Sequence, residues 1–102
     1  MITYSLTKTG TGTSSNLISS NIVSSGLPSP FETSDETTIQ VIGTSAATGK
    51  LEITLNGTDF TEIFDFTFAS ADNDTFVFPG NFSDIRLNLS ANSGTVKLIA
   101  GI

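Results

Sequence analysis

The chain contains no cysteine, no histidine and no tryptophan. Without cysteine there is no disulfide staple, and without cysteine or histidine there is no thiolate or imidazole metal site. A serine or threonine nucleophile also lacks its ordinary base. A lysine base is conceivable, but Lys50 and Lys97 fall at outward positions of their strands. Cations are equally scarce: Lys8, Lys50, Arg86 and Lys97 stand against ten acidic residues, for a net charge of −6. Nucleic-acid binding needs clustered cations that displace phosphate counterions, and anionic membranes need a basic patch, so neither partner is expected. No apolar run approaches the roughly 20 residues of a membrane-spanning helix. The opening MITYSLTKTG lacks a basic region followed by an apolar run. A signal peptide is therefore not expected, and synthesis in a cytoplasm is.

What is present is serine, threonine and short alternation. At 102 residues the length suits one domain, read as 1–102, with a modest core. Hydrophobic residues reach 37% and charged residues only 14%. Threonine makes up much of the difference, and its branched Cβ favours strands. Residues 1–8 alternate, with Ile2, Tyr4 and Leu6 on one face. The stretch TGTGTSS that follows is a link of small residues. Leu17, Ile18, Ile22 and Val23 could mimic a helical turn, but serine and β-branched neighbours favour a strand or extended arm. The segment GLPSP is non-helical, since proline removes a donor and holds its predecessor extended.

A second block, residues 37–102, reads as the β core. TTIQVIG places Ile39 and Val41 inward and Ile42 outward. Leu51, Ile53 and Leu55 alternate with Lys50, Glu52 and Thr54, and Asn56-Gly57 then suggests a two-residue hairpin turn. Phe64, Phe66 and Phe68 lie in phase on the return, while Glu62 and Ile63 break the phase with Phe60, a break that a bulge or a late strand start would absorb. SADNDT reads as a loop, and Phe76, Val77 and Phe78 as a short strand ending at Pro79-Gly80. Ile85, Leu87 and Leu89, then Val96, Leu98 and Ala100, complete the inward set. This spacing predicts an all-β fold, a β-sandwich or jelly-roll-like arrangement of about seven or eight short antiparallel strands. Residues 1–30 read as an extended N-terminal arm plus the first strand, with 9–30 the least core-like part.

Several motifs reduce to structure on inspection. Carboxylate pairs such as Asp35 and Glu36 or Asp59 and Glu62 could serve a glycosidase only about 5–10 Å apart across a sugar, and turn formation explains them as well. Asp72-Asn73-Asp74 is the densest group of oxygen ligands. It lacks the roughly twelve-residue calcium loop with its terminal glutamate, so an Asx-rich turn is favoured and Asp72 and Asp74 stay weak Ca²⁺ candidates. TGTGT lacks the glycine spacing of a phosphate cradle. Glycosylation sequons at Asn56, Asn73, Asn81 and Asn88 are expected by chance in this composition. No catalytic residue and no cofactor site emerges. Candidate interface residues are the outward apolar Ile42, Val77 and Ile99, together with Leu17, Ile18, Ile22 and Val23 of the arm.

The run Phe78-Pro79-Gly80-Asn81-Phe82-Ser83-Asp84-Ile85-Arg86, followed by Ser93-Gly94-Thr95-Val96-Lys97-Leu98, resembles the ends of small tailed-phage virion proteins. The whole chain also resembles phage capsid decoration, or cement, proteins: short, acidic, without cysteine, β-rich, with a Ser/Thr/Gly-rich N-terminal arm. The resemblance implies a virion location, binding to the major capsid protein on the outside of the shell, homotrimeric association, and bracing of the capsid against internal pressure. A tail, baseplate or fibre module, or a carbohydrate-binding adhesion domain, are the alternatives. An enzyme is not expected.

Overall fold

Strands form wherever the apolar residues alternate, and the two sheets they build are held apart by one shared core. The computed structural model describes residues 3–21 and 35–102. In chain order the elements are β1 (Thr3–Thr9), β2 (Gly12–Thr13), α1 (Leu17–Asn21), β3 (Thr37–Gly43), β4 (Ala47–Thr54), β5 (Phe60–Phe68), β6 (Asp72–Phe78), β7 (Asp84–Asn92) and β8 (Thr95–Gly101). Every pairing is antiparallel. One sheet, A, has the order β1-β8-β3-β6 and the other, B, the order β2-β7-β4-β5. The orders run in step, so consecutive strands occupy matching positions in opposite sheets. This is the expected β-sandwich, with eight strands.

Sheet A supplies Ile39, Val41, Val96, Leu98 and Ala100 to the core, and sheet B supplies Leu51, Phe66, Phe68, Ile85, Leu87 and Leu89. Each is an inward position of an alternating run, as sheets with one solvated face require. Burial of one such side chain contributes about 1.5–3 kcal/mol. The chain passes from β1 in sheet A to β2 in sheet B through Gly10 and Gly12, whose φ values of 75° and 97° favour glycine. Asn92 Nδ2 donates to the backbone oxygens of Lys8 and Gly10 and pins that crossing.

The N-terminal region departs from the expected arm. Within the described residues, 3–21 are docked on the body: β1 pairs with β8 along its whole length, and α1 packs on β1 and β7. Leu17 and Ile18, expected at an intermolecular interface, are instead core residues, 0% and 5% exposed. They form a helical turn, not a strand, because Asp84 at the start of β7 caps it. Its Oδ1 accepts from the Ile18 N–H at 2.7 Å and its Oδ2 from the Ser19 N–H at 3.2 Å. A cap supplied from 66 residues away leaves no local trace in residues 16–21. Ile22 and Val23, the other two arm candidates, lie outside the described residues, as does Ile2.

Two turns also differ from expectation. Asn56 has no positive φ, so Asn56-Gly57 is not a two-residue type I′ turn; only Gly57 is left-handed, at φ 86°. The loop spans residues 55–59 and is organised by the Asn56 side chain, whose Oδ1 accepts from the Thr58 and Asp59 N–H groups, both at 2.9 Å. Leu55, expected inward, therefore leaves the sheet and stands 74% exposed. The polar loop before β6 is shorter than expected, since β3 extends its pairing as far back as Asp72. A bulge, not a late strand start, absorbs the phase break: Leu51 faces Phe64 while Glu52 faces Glu62, leaving Ile63 as the extra residue.

Candidate functional site

The bulge at Ile63 resets the phase of β5. Phe64, Phe66 and Phe68 point inward, whereas Phe60 turns to the outer face of sheet B. There the Arg86 guanidinium lies over the Phe60 ring, 3.7 Å from its centroid. Arg86 Nε also donates to Glu52 Oε1 at 2.8 Å, and Asn88 Nδ2 donates to Glu52 Oε2. Lys50 pairs with Glu62 at 3.4 Å. These contacts tie together β4, β5 and β7 and give Lys50, Glu52, Glu62 and Arg86 structural roles. No group of three or more potential ligands that could hold a metal ion occurs among the described residues. Asp72 and Asp74 are exposed on β6, and Asp72 Oδ1 accepts from the Asn73 N–H.

The outer face of sheet A is different in kind. The register aligns Ser5, Ile99, Gln40 and Thr75 in one row and Thr7, Lys97, Ile42 and Asn73 in the next. Thr38 and Val77 pair in a third row. The structure therefore brings Ile42, Val77 and Ile99, three residues singled out from the sequence, onto one broad surface. Lys97 is the single charge within these rows. Ile42 and Ile99 are half-buried by neighbours, and Val77 is 51% exposed.

At one end of the sandwich, the loop between β4 and β5 meets the loop between β6 and β7. Between them lies an open cleft of about 630 Å³. Its walls are apolar, from Ile53, Leu55, Phe78 and Pro79, and its polar groups include Asn56 and Asp59. Asn56 Nδ2 donates to Asp59 Oδ2 at 2.6 Å, fixing that carboxylate at the cleft. Asn56 Oδ1 accepts in addition from the Thr54 and Thr58 hydroxyls, so the amide oxygen is committed to shaping the turn. The sequence identified neither the cleft nor Leu55 as part of it. The Asn56-to-Asp59 spacing is a local signal of a side-chain-ordered loop, but the meeting of two loops about 25 residues apart is set by topology.

The two strands bordering this side, β5 and β6, are both sheet edges. Phe64 of β5 stacks on Phe76 of β6, with ring centroids 4.5 Å apart, and both rings are only partly buried. Comparison with protein-family models, with curated proteins and with solved structures finds no match to this chain.

Proposed function

We propose that the chain is a virion structural protein, a capsid decoration or cement protein that lies as a homotrimer on the outer surface of the major capsid protein and braces the shell. The observation that supports this reading is the outer face of sheet A. Four strands present threonine, serine, glutamine and asparagine around Ile42, Ile99 and Val77, with Lys97 the one charge in the aligned rows. The chain carries ten acidic and four basic residues, so so little charge on one whole face is a marked segregation. Depletion of charge around partly exposed apolar residues is the compositional mark of a protein–protein interface core. Rigid β presentation of that face lowers the ordering cost of docking.

Cosedimentation with capsids tests it. Virions grown in the source host should carry the chain, by mass spectrometry, in fixed ratio to the major shell protein. The purified chain should rebind to stripped shells and run at about three times 10.7 kDa by light scattering. Ile42→Glu with Ile99→Glu should keep the circular dichroism spectrum and lose rebinding. A chain absent from purified particles refutes the reading.

A further inference from the structure

The edge of sheet A at β6 carries no charge, proline or bulge from Thr75 to Phe78. Among the described residues β6 pairs only with β3, so one side of its backbone has no strand partner. Natural sheets blunt such edges with charged side chains, lysine above all, or with proline, bulges or very short strands. β6 has seven residues, no proline and no register shift against β3, and its charges are Asp72 and Asp74 at its start, which repel an acidic strand and admit a basic one. The exposed large apolar side chains among the described residues are Leu55 and Val77. Both stand at this place, Val77 on β6 and Leu55 on the wall of the cleft into which β6 runs through Phe78 and Pro79. From end to end the strand is graded: Asp72 and Asp74 at its start, Phe76 and Phe78 at its finish, all four on the same side of the pleat.

We propose that β6 is a docking edge for an extended segment of a partner protein that adds as a further antiparallel strand. Sheet A is antiparallel throughout, so the added strand runs from the Phe78 end to the Asp72 end. Its alternate residues then meet Phe78, Phe76, Asp74 and Asp72 in that order. Cross-strand complementarity fixes their chemistry as apolar, apolar, basic, basic, because directly opposed residues on one face interact and like charges there are destabilising. The first apolar residue sits at the mouth of the cleft, against Phe78 and Leu55. Main-chain hydrogen bonds supply affinity in this mode, and alternate side chains supply specificity. The net charge of −6 favours approach of such a basic segment. A second copy of this chain fits less well, since antiparallel self-pairing centred on Thr75 would set Asp72 opposite Phe78 and Asp74 opposite Phe76. The inference goes beyond the proposed function and does not depend on it.

The probe is a synthetic peptide matched to the length of β6, Leu-Thr-Val-Thr-Lys-Thr-Lys with a fluorophore at its carboxyl end, against the same peptide with glutamate for lysine. Fluorescence anisotropy with the full chain at low salt should show the basic peptide binding at least about tenfold more tightly, and amide exchange along β6 should slow on binding. Asp72→Lys with Asp74→Lys should reverse the preference, and Leu55→Asp should weaken the basic peptide several-fold. All three positions are exposed, and circular dichroism checks that the variants fold. No binding at millimolar peptide, equal binding of both peptides, or a preference that survives the charge reversal overturns the proposal. So does a chain that runs at twice 10.7 kDa with its β6 amides already protected. Those results leave rebinding to shells through Ile42 and Ile99 untouched, and loss of shell rebinding leaves the peptide result standing.

Discussion

Replacing Asp84 tests how the N-terminal region is held. The side chain is 5% exposed and accepts three backbone N–H groups: Ile18 at 2.7 Å and Ile85 at 2.9 Å on Oδ1, and Ser19 at 3.2 Å on Oδ2. A helix of five residues has no stability of its own, since nucleation is unfavourable and propagation barely begins. It exists because this carboxylate satisfies its first donors and because Leu17 and Ile18 are buried beside it. Asp84→Ala leaves the Ile18 and Ile85 amides without their acceptor, and a buried unsatisfied donor costs about 1–3 kcal/mol. Partial relaxation brings the expected total to about 3 kcal/mol, or on the order of 15 °C in Tm for a domain of this size. Asp84→Asn keeps Oδ1 but turns an amide donor toward the Ser19 N–H, so it should cost about 1–2 kcal/mol, at the level of a lost cap. Urea unfolding followed by circular dichroism gives both values. Amide exchange at Ile18 and Ser19 should accelerate in the same order. If Asp84→Ala stays within about 0.5 kcal/mol of the parent, or Asp84→Asn proves the worse of the two, the carboxylate does not hold the helix and the argument fails.

Two further substitutions probe the packing between the sheets. Phe66 is buried with its ring 5.0 Å from that of Phe68, so Phe66→Ala should cost about 3–5 kcal/mol in the same urea assay, and a loss below about 1 kcal/mol would place the inward face of β5 wrongly. Gly49 sits where β4 slips register against β7, and a Cβ there would lie 2.5 Å from Leu89 Cδ2 and 2.9 Å from the Asn88 backbone oxygen. The backbone oxygen cannot turn aside, so Gly49→Ala should destabilise by about 1–3 kcal/mol, and a neutral outcome by thermal melting would show that β7 yields more readily than its central position in sheet B suggests.

What could be read from the sequence and what could not divide by range. Alternation is local, so the inward set Ile39, Val41, Leu51, Phe66, Phe68, Ile85, Leu87, Leu89, Val96 and Leu98 is legible residue by residue, and so is the outward placement of Ile42, Val77 and Ile99. The phase break at Glu62 and Ile63 is legible too, because a period of two cannot keep Glu62 and Asp65 both exposed, but the choice of a bulge over a late strand start comes from the pairing with β4. Leu17 and Ile18 fail for the opposite reason. Their local composition favours an extended chain, and the group that overrules it, Asp84, comes from a strand of the opposite end of the sequence.

The edge at β6 shows the same division at work in function. Its composition is visible in the sequence: two acids followed by two phenylalanines around a valine, with proline beyond. Read locally, that run is a polar loop leading into a short strand, and Asp72 and Asp74 invite a metal reading. Pairing with β3 as far as Asp72 converts the loop into strand and places the two carboxylates at alternate positions along an edge. The same pairing leaves Val77 on the outer face of sheet A, beside Thr38, and brings Phe78 to the cleft wall. Acid, apolar edge and cleft thus become one continuous surface only after strand order is fixed. Strand order also separates this surface from Ile42 and Ile99, which lie on the inner strands β3 and β8 of the same sheet. A protein bound flat across sheet A would cover the outward side chains of β6, Val77 included, while a strand added at its edge would use the free backbone side of the same strand, so the two surfaces adjoin at β6 and one partner could use both.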